Sequence, residues 1–233
     1  MTTQETYRLF LESIRKGRTR SFPPDLFNPF INKVAREWLK GKVNEFQQNG
    51  KRIDDIDLLY VKTDGVDGYP AIEITSYINN VSVFDFPGIQ SQLINKIPHA
   101  EIGGSLYPLS FRLIKVIANL NGKPVECQYL DSHKTLENKY QKLSENIVYY
   151  ELSKKKIRIY ATDRVPSIVL NYVRQPRPYF FDISNVNDHI AFEYGDEQVD
   201  EIIDNAVRVF LERNTDQRYQ TFLNEEKIKS VNN

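Results

Sequence analysis

The chain has 233 residues, with 31 basic and 31 acidic side chains and a single cysteine. The balanced charge excludes the basic excess typical of a free-standing nucleic-acid binder, and the aromatic and hydrophobic content excludes a disordered chain. Cys127 alone excludes an internal disulfide, which fits a reducing compartment.

The opening Met1–Glu5 stretch has neither the basic region nor the apolar run of a signal peptide. No stretch approaches the roughly 20 consecutive apolar residues of a spanning helix. The expectation is a soluble protein made in the cytoplasm, with no membrane contact.

The first segment is helical: Tyr7, Phe10, Leu11 and Ile14 fall on one face. Thr2 followed by Glu5 fits a capping box. Arg15, Lys16, Arg18 and Arg20 then form a basic loop that leads through Phe22 to Pro23-Pro24. A second helix follows, with Asn28 as cap and Pro29 in its first position. Phe30, Ile31, Val34, Ala35, Trp38 and Leu39 repeat at helical spacing until Gly50.

The period then changes to two. Ile56–Lys62, Ala71–Tyr77 and Val81–Phe86 are short β-branched and aromatic runs, punctuated by Gly65, Gly68, Pro70, Asn79 and Asn80. Phe111–Asn119 and Pro124–Tyr129 flank Asn121-Gly122, a hairpin turn signal. Asp131–Lys142 carries a thin helical pattern through Leu136 and Tyr140. Ile147–Leu152 and Ile157–Ala161 form a hairpin around Lys154, Lys155 and Lys156, and Ser167–Arg174 is a strand stopped by Gln175-Pro176-Arg177-Pro178.

Val199, Ile202, Ile203, Ala206, Val207, Phe210 and Leu211 make the clearest helical stripe, with Asp196 and Glu197 at its start. A further helix carries Tyr219, Phe222 and Leu223. The reading is a single α+β domain over 1–233: helical over 1–50, mainly β over 51–194, helical over 195–228, and frayed over 229–233. Amphipathic helices from both ends form a layer packed with a central antiparallel β body, sandwich- or barrel-like.

The residues offer little chemistry. His99, His133 and His189 are widely spaced and read as surface or singly hydrogen-bonded, not as metal ligands. Cys127 lies in a strand and reads as a small buried hydrophobe; as a nucleophile it would need an activating base nearby. Gly103-Gly104-Ser105 has no following Gly-Lys-Ser/Thr and reads as a tight turn. Asp54, Asp55 and Asp57 read as a solvated strand entrance, with a metal site as the alternative. No cofactor, metal or catalytic residue is expected.

Two basic stretches, 15–20 and 154–156, are either solvated charge or contacts to an acidic partner or to nucleic acid. Tyr179, Phe180 and Phe181 are either an extended interface arm or an edge strand folded back on its own core.

Three blocks carry a family resemblance. The first is Lys16-Gly17-Arg18-Thr19-Arg20-Ser21-Phe22-Pro23-Pro24-Asp25-Leu26-Phe27-Asn28, leading into Ala35-Arg36-Glu37-Trp38. The second joins Ile157-Arg158-Ile159-Tyr160 to Val169-Leu170-Asn171-Tyr172-Val173-Arg174-Gln175-Pro176, and the third runs from Ile190-Ala191-Phe192-Glu193 to Arg218. Together they resemble neck proteins of tailed phages of Bacteroidota, crAss-like phages included.

The resemblance implies a virion structural protein without catalytic residues. It would be one subunit of a head–tail connector ring, often twelve-fold, that lines the DNA channel and meets the portal and adjacent neck or tail proteins. Arg15, Lys16, Arg18, Arg20 and Phe22 with Tyr179, Phe180 and Phe181 would then be interface residues, and Lys154, Lys155 and Lys156 would face viral DNA. The alternative is a nucleic-acid-binding accessory protein using the same two basic loops.

Overall fold

The computed structural model describes residues 1–15, 22–49, 57, 59–66, 68–94, 97–130, 147–153 and 155–213. The chain forms two compact units, one of residues 1–58 with 177–233 and one of residues 59–176.

The first unit is helical. Helix α1 spans Thr3–Arg15, α2 Pro24–Asn49 and α3 Asp196–Arg213. The capping box at α1 is formed in both directions: the Thr2 N–H donates to Glu5 Oε2 at 2.8 Å, and the Glu5 N–H to Thr2 Oγ1 at 3.2 Å. The Thr2 N–H, helped by the Thr2 hydroxyl, holds the Glu5 carboxyl below its ordinary range.

The expected stripes are buried. Phe10 and Ile14 of α1, Ile31, Leu39 and Val43 of α2, and Val199, Ile202 and Ala206 of α3 are all at most 2% exposed. Helix α3 packs against both α1 and α2.

Helix α2 starts earlier than its sequence signal. Pro24 holds the first position and Pro29 lies inside the helix. The Pro23 carbonyl accepts from the N–H groups of Leu26 and Phe27. Two proline starts compete here, and the Asn28 side chain is drawn into a tertiary contact instead of a cap. The segment from Arg177 to Gly195, grouped by sequence with the β body, packs with the helices and includes a 3-10 turn at Val186–Asp188.

The second unit is a β structure. Its strands are β1 Tyr60–Lys62, β2 Ile72–Ile78, β3 Val81–Asp85, β4 Gln92–Ile94, β5 Ile97–Ile102, β6 Ser105–Pro108, β7 Ser110–Leu120, β8 Lys123–Tyr129, β9 Val148–Leu152, β10 Lys156–Tyr160 and β11 Ser167–Arg174. The main sheet runs β1-β11-β2-β3-β10-β9-β8-β7, and β7 also pairs with β11. That last pairing closes β2-β3-β10-β9-β8-β7-β11 into a barrel, with β1 laid along the C-terminal half of β11.

Among the described residues, all pairings are antiparallel except β8 with β9. Closure removes the free edges of the barrel strands, and extra residues in β2, opposite β3, and in β7, opposite β11, supply local bending. Phe84, Ile157, Ile159, Ile168, Leu170 and Tyr172 fill the interior, each 0% exposed.

Three hairpin turns take positive φ at both central residues: Asn79-Asn80, Gly103-Gly104 and Asn121-Gly122. This is the geometry whose twist matches antiparallel strands. Gly103-Gly104 is accordingly a β5–β6 turn. The β4-β5-β6 sheet has no counterpart in the sequence reading. Its strands are short and interrupted by Pro98 and Pro108, which mask the alternation.

Candidate functional site

The most built-up polar arrangement in the helical unit holds the strap from Arg177 to Gly195. Asn28 and Asn32 lie one turn apart on α2 and present their amides side by side. Asn28 Nδ2 donates to the Phe181 carbonyl at 2.9 Å, while the Phe181 N–H donates to Asn28 Oδ1 at 3.1 Å. Asn32 repeats the pattern two residues earlier: Nδ2 donates to the Tyr179 carbonyl at 2.8 Å, and the Tyr179 N–H to Oδ1 at 2.8 Å. The two amides thus bond the strap as a neighbouring β-strand would, reading backbone and not side chain.

Tyr179 and Phe181 are turned inward, 1% and 7% exposed, while Phe180 between them is 39% exposed. The alternation of an extended chain produces this split. Tyr179 packs edge-on to Phe27 at 5.7 Å and against Phe192 at 4.9 Å, and Phe181 packs on Tyr7 at 5.0 Å. The Tyr179 hydroxyl donates to the Thr3 carbonyl at 2.6 Å, and burial pushes its ionisation up. Of the three aromatics read as either an interface arm or an edge strand folded back on its own core, Tyr179 and Phe181 make core contacts and Phe180 is partly exposed.

The strap also carries bonds of its own. Phe180 and Ile190 exchange backbone bonds at 3.0 and 2.8 Å. The Arg177 N–H donates to Glu193 Oε2 at 2.7 Å, and its guanidinium lies 3.1 Å from Oε1. His189 stacks on Phe181 at 4.9 Å. Its Nε2 is 2.7 Å from the Asp182 carbonyl, which can only accept, so Nε2 carries the proton; Nδ1, 3.1 Å from Thr3 Oγ1, accepts in the neutral ring.

A cleft of about 330 Å³ lies between α2 and α3, lined by Phe30, Val34, Trp38 and Val209 and rimmed by Lys33, Glu37 and Arg208. At its end Trp38 Nε1 donates to Glu201 Oε2 at 2.7 Å, and Lys42 reaches the same oxygen at 3.1 Å. In the β unit, a recess of about 510 Å³ is lined by Glu73, Ile74, Thr75, Asp85, Gly103 and Tyr107, among others. Asp85 is already engaged there, by Thr75 Oγ1 at 3.0 Å and Lys156 Nζ at 2.6 Å.

Phe22 packs with Phe10, Phe30 and Phe210. Lys16, Arg18, Arg20, Lys154, Asp54, Asp55 and His133 lie outside the described residues, as do the helical readings over 131–142 and beyond residue 213, and the Arg15 side chain is likewise not described. Lys155 is exposed at the β9–β10 turn.

His99 is buried, with Nδ1 2.9 Å from the Ile97 carbonyl. Cys127 is buried in β8, and desolvation pushes its thiol up to about 12. No helix among the described residues is long and apolar enough to cross a membrane.

Sequence reasoning missed Asn28 and Asn32 as a pair. Their spacing of four within a helix, both amides on one face, was the available signal, but Asn28 beside Pro29 read as a cap. No protein-family model matches the chain, and no curated protein matches it.

Proposed function

We propose that the protein is a virion structural subunit: one copy of a homo-oligomeric head–tail connector ring between portal and tail, lining or supporting the DNA channel. The observation that carries this reading is where the two units place their exposed apolar side chains. The barrel strands are edge-paired all round, yet Ile78 at the β2–β3 tip is 60% exposed and Leu93 of the small sheet 62%. In the helical unit Phe180 and Ile183 of the strap are 39% and 68% exposed.

Large apolar groups left exposed at the β2–β3 tip, on strand β4 and on the strap are surfaces suited to association with another chain. A ring needs two different patches on each copy that fit one another. The three blocks of resemblance to phage neck proteins favour the same class.

The test is the assembly state of purified protein, alone and mixed with a portal, by light scattering and electron microscopy. Rings, or joining of a portal ring, are expected. A chain that stays monomeric at high concentration and with a portal overturns the reading. Salt-sensitive binding to duplex DNA by such a monomer would favour the accessory-protein alternative.

A further inference from the structure

We propose that the cleft between α2 and α3 is the seat of the chain's own C-terminal segment, residues 214–226. The inference is independent of the ring reading, because it concerns a contact within one chain.

The cleft presents an apolar floor outside the stripe by which α3 packs. That stripe, which includes Val199, Ile202, Ala206 and Val207, is buried. Asn205, Arg208 and Val209 lie on a second face of the helix, and with Phe30, Val34 and Trp38 of α2 they line the cleft of about 330 Å³.

Chain direction selects the occupant. The rings of Phe30 and Phe210 are 6.5 Å apart, and Trp38 donates to Glu201. Helices α2 and α3 are therefore antiparallel, and the Phe30 end of the cleft is the end at which α3 stops, at Arg213. A chain that turns back there enters the cleft directly. Antiparallel helices are joined by turns of about two to five residues, and Asn214-Thr215-Asp216 has the composition of such a turn. With the same rise per residue on both helices, Phe222 comes level with Arg208.

The chemistry of the segment matches the cleft. Tyr219, Phe222 and Leu223 are spaced i, i+3 and i+4, and Glu226 continues that face at i+7. On the rim, Glu37 is paired with Lys40 at 2.7 Å, and Arg208 donates to the neutral Asn205 side chain at 2.8 Å. Lys33 and Arg208 thus set the charge of the rim, and Glu225 and Glu226 are its complement. The apolar face would cover the floor while the two carboxylates meet the two cations.

The test uses the full chain. Trypsin cleavage after Arg218, timed by mass spectrometry of the intact protein, reports seating, because a seated segment is cut only when it is released. Phe222→Ser with Leu223→Ser should speed that cut about tenfold or more, through lost apolar burial. Lys33→Glu with Arg208→Glu should speed it about threefold to tenfold, as should Lys33→Glu alone to a smaller degree. Protection in the wild-type chain should be equal at all protein concentrations.

A wild-type chain cut after Arg218 as fast as the Phe222/Leu223 variant overturns the proposal. So does a segment released by its own substitutions but indifferent to those at Lys33 and Arg208, since it would then be seated elsewhere. Protection that appears only as concentration rises overturns it in favour of a neighbouring copy as the occupant.

Discussion

At the scale of single residues, the asparagine pair and the lone cysteine give opposite kinds of test. Asn28 satisfies both backbone groups of Phe181, and Asn32 both of Tyr179. Alanine at either site leaves an N–H and a carbonyl without those partners, at about 1–3 kcal/mol for each buried group. Either substitution should therefore lower unfolding free energy by about 2–6 kcal/mol, and speed hydrogen exchange at the Phe181 amide for Asn28→Ala and the Tyr179 amide for Asn32→Ala. Asn28→Asp should fall between, because a carboxylate still accepts from the Phe181 N–H but cannot donate to its carbonyl. Exchange as slow in these variants as in the wild-type protein would remove this asparagine clasp. Cys127 is expected to be inert: buried and with its thiol raised to about 12, it presents almost no thiolate at pH 8. An aromatic disulfide reagent should label it only in denaturant, and rapid labelling of the native chain would place it elsewhere.

At the scale of elements, two glycines with the same open surroundings should respond with opposite signs. A Cβ added at Gly41 of α2 or at Gly122 of the β7–β8 turn meets nothing within 4 Å, but Gly122 has φ +77°. Gly41→Ala should stabilise the protein by about 0.5–1 kcal/mol, since alanine loses less backbone freedom in a helix. Gly122→Ala should destabilise it by about 1–2 kcal/mol through left-handed strain. Denaturant midpoints decide both. Elements of this kind were the ones legible in sequence. The stripes of α1 and α3, the Thr2–Glu5 box, the Asn121-Gly122 turn and the Ser167–Arg174 strand all rest on local spacing, which survives into the fold. The start of α2 did not survive, because Asn28 found a long-range partner. The β4-β5-β6 sheet was hidden because two-residue alternation needs more length than Gln92–Ile94 provides. The clasp itself joins positions about 150 apart in sequence, and no local pattern encodes that.

At the scale of the whole molecule, the buried tyrosines make stability depend on alkaline pH. Burial pushes the hydroxyls of Tyr107, Tyr150, Tyr160, Tyr172 and Tyr179 above their ordinary value, most strongly Tyr172 and Tyr179. Tyr172 sits in the barrel core and donates to the Pro108 carbonyl at 2.9 Å, while Tyr179 donates to the Thr3 carbonyl, so each unit has its own buried phenol. A phenol that donates to a carbonyl loses that bond when it ionises. In the unfolded chain these groups titrate near 10. The folded chain therefore holds more protons than the unfolded one above that point, and unfolding free energy must fall as pH rises. The contribution is intact below about pH 10 and erodes above it as the unfolded phenols ionise. Urea midpoints should thus hold level from pH 8 to 9.5 and drop steeply by pH 11. Tyr179→Phe should flatten part of that slope while costing about 1 kcal/mol at pH 8 for the lost hydrogen bond. Tyr172→Phe should do the same through the barrel unit. A midpoint that stays level to pH 11 would mean the buried phenols are open to water.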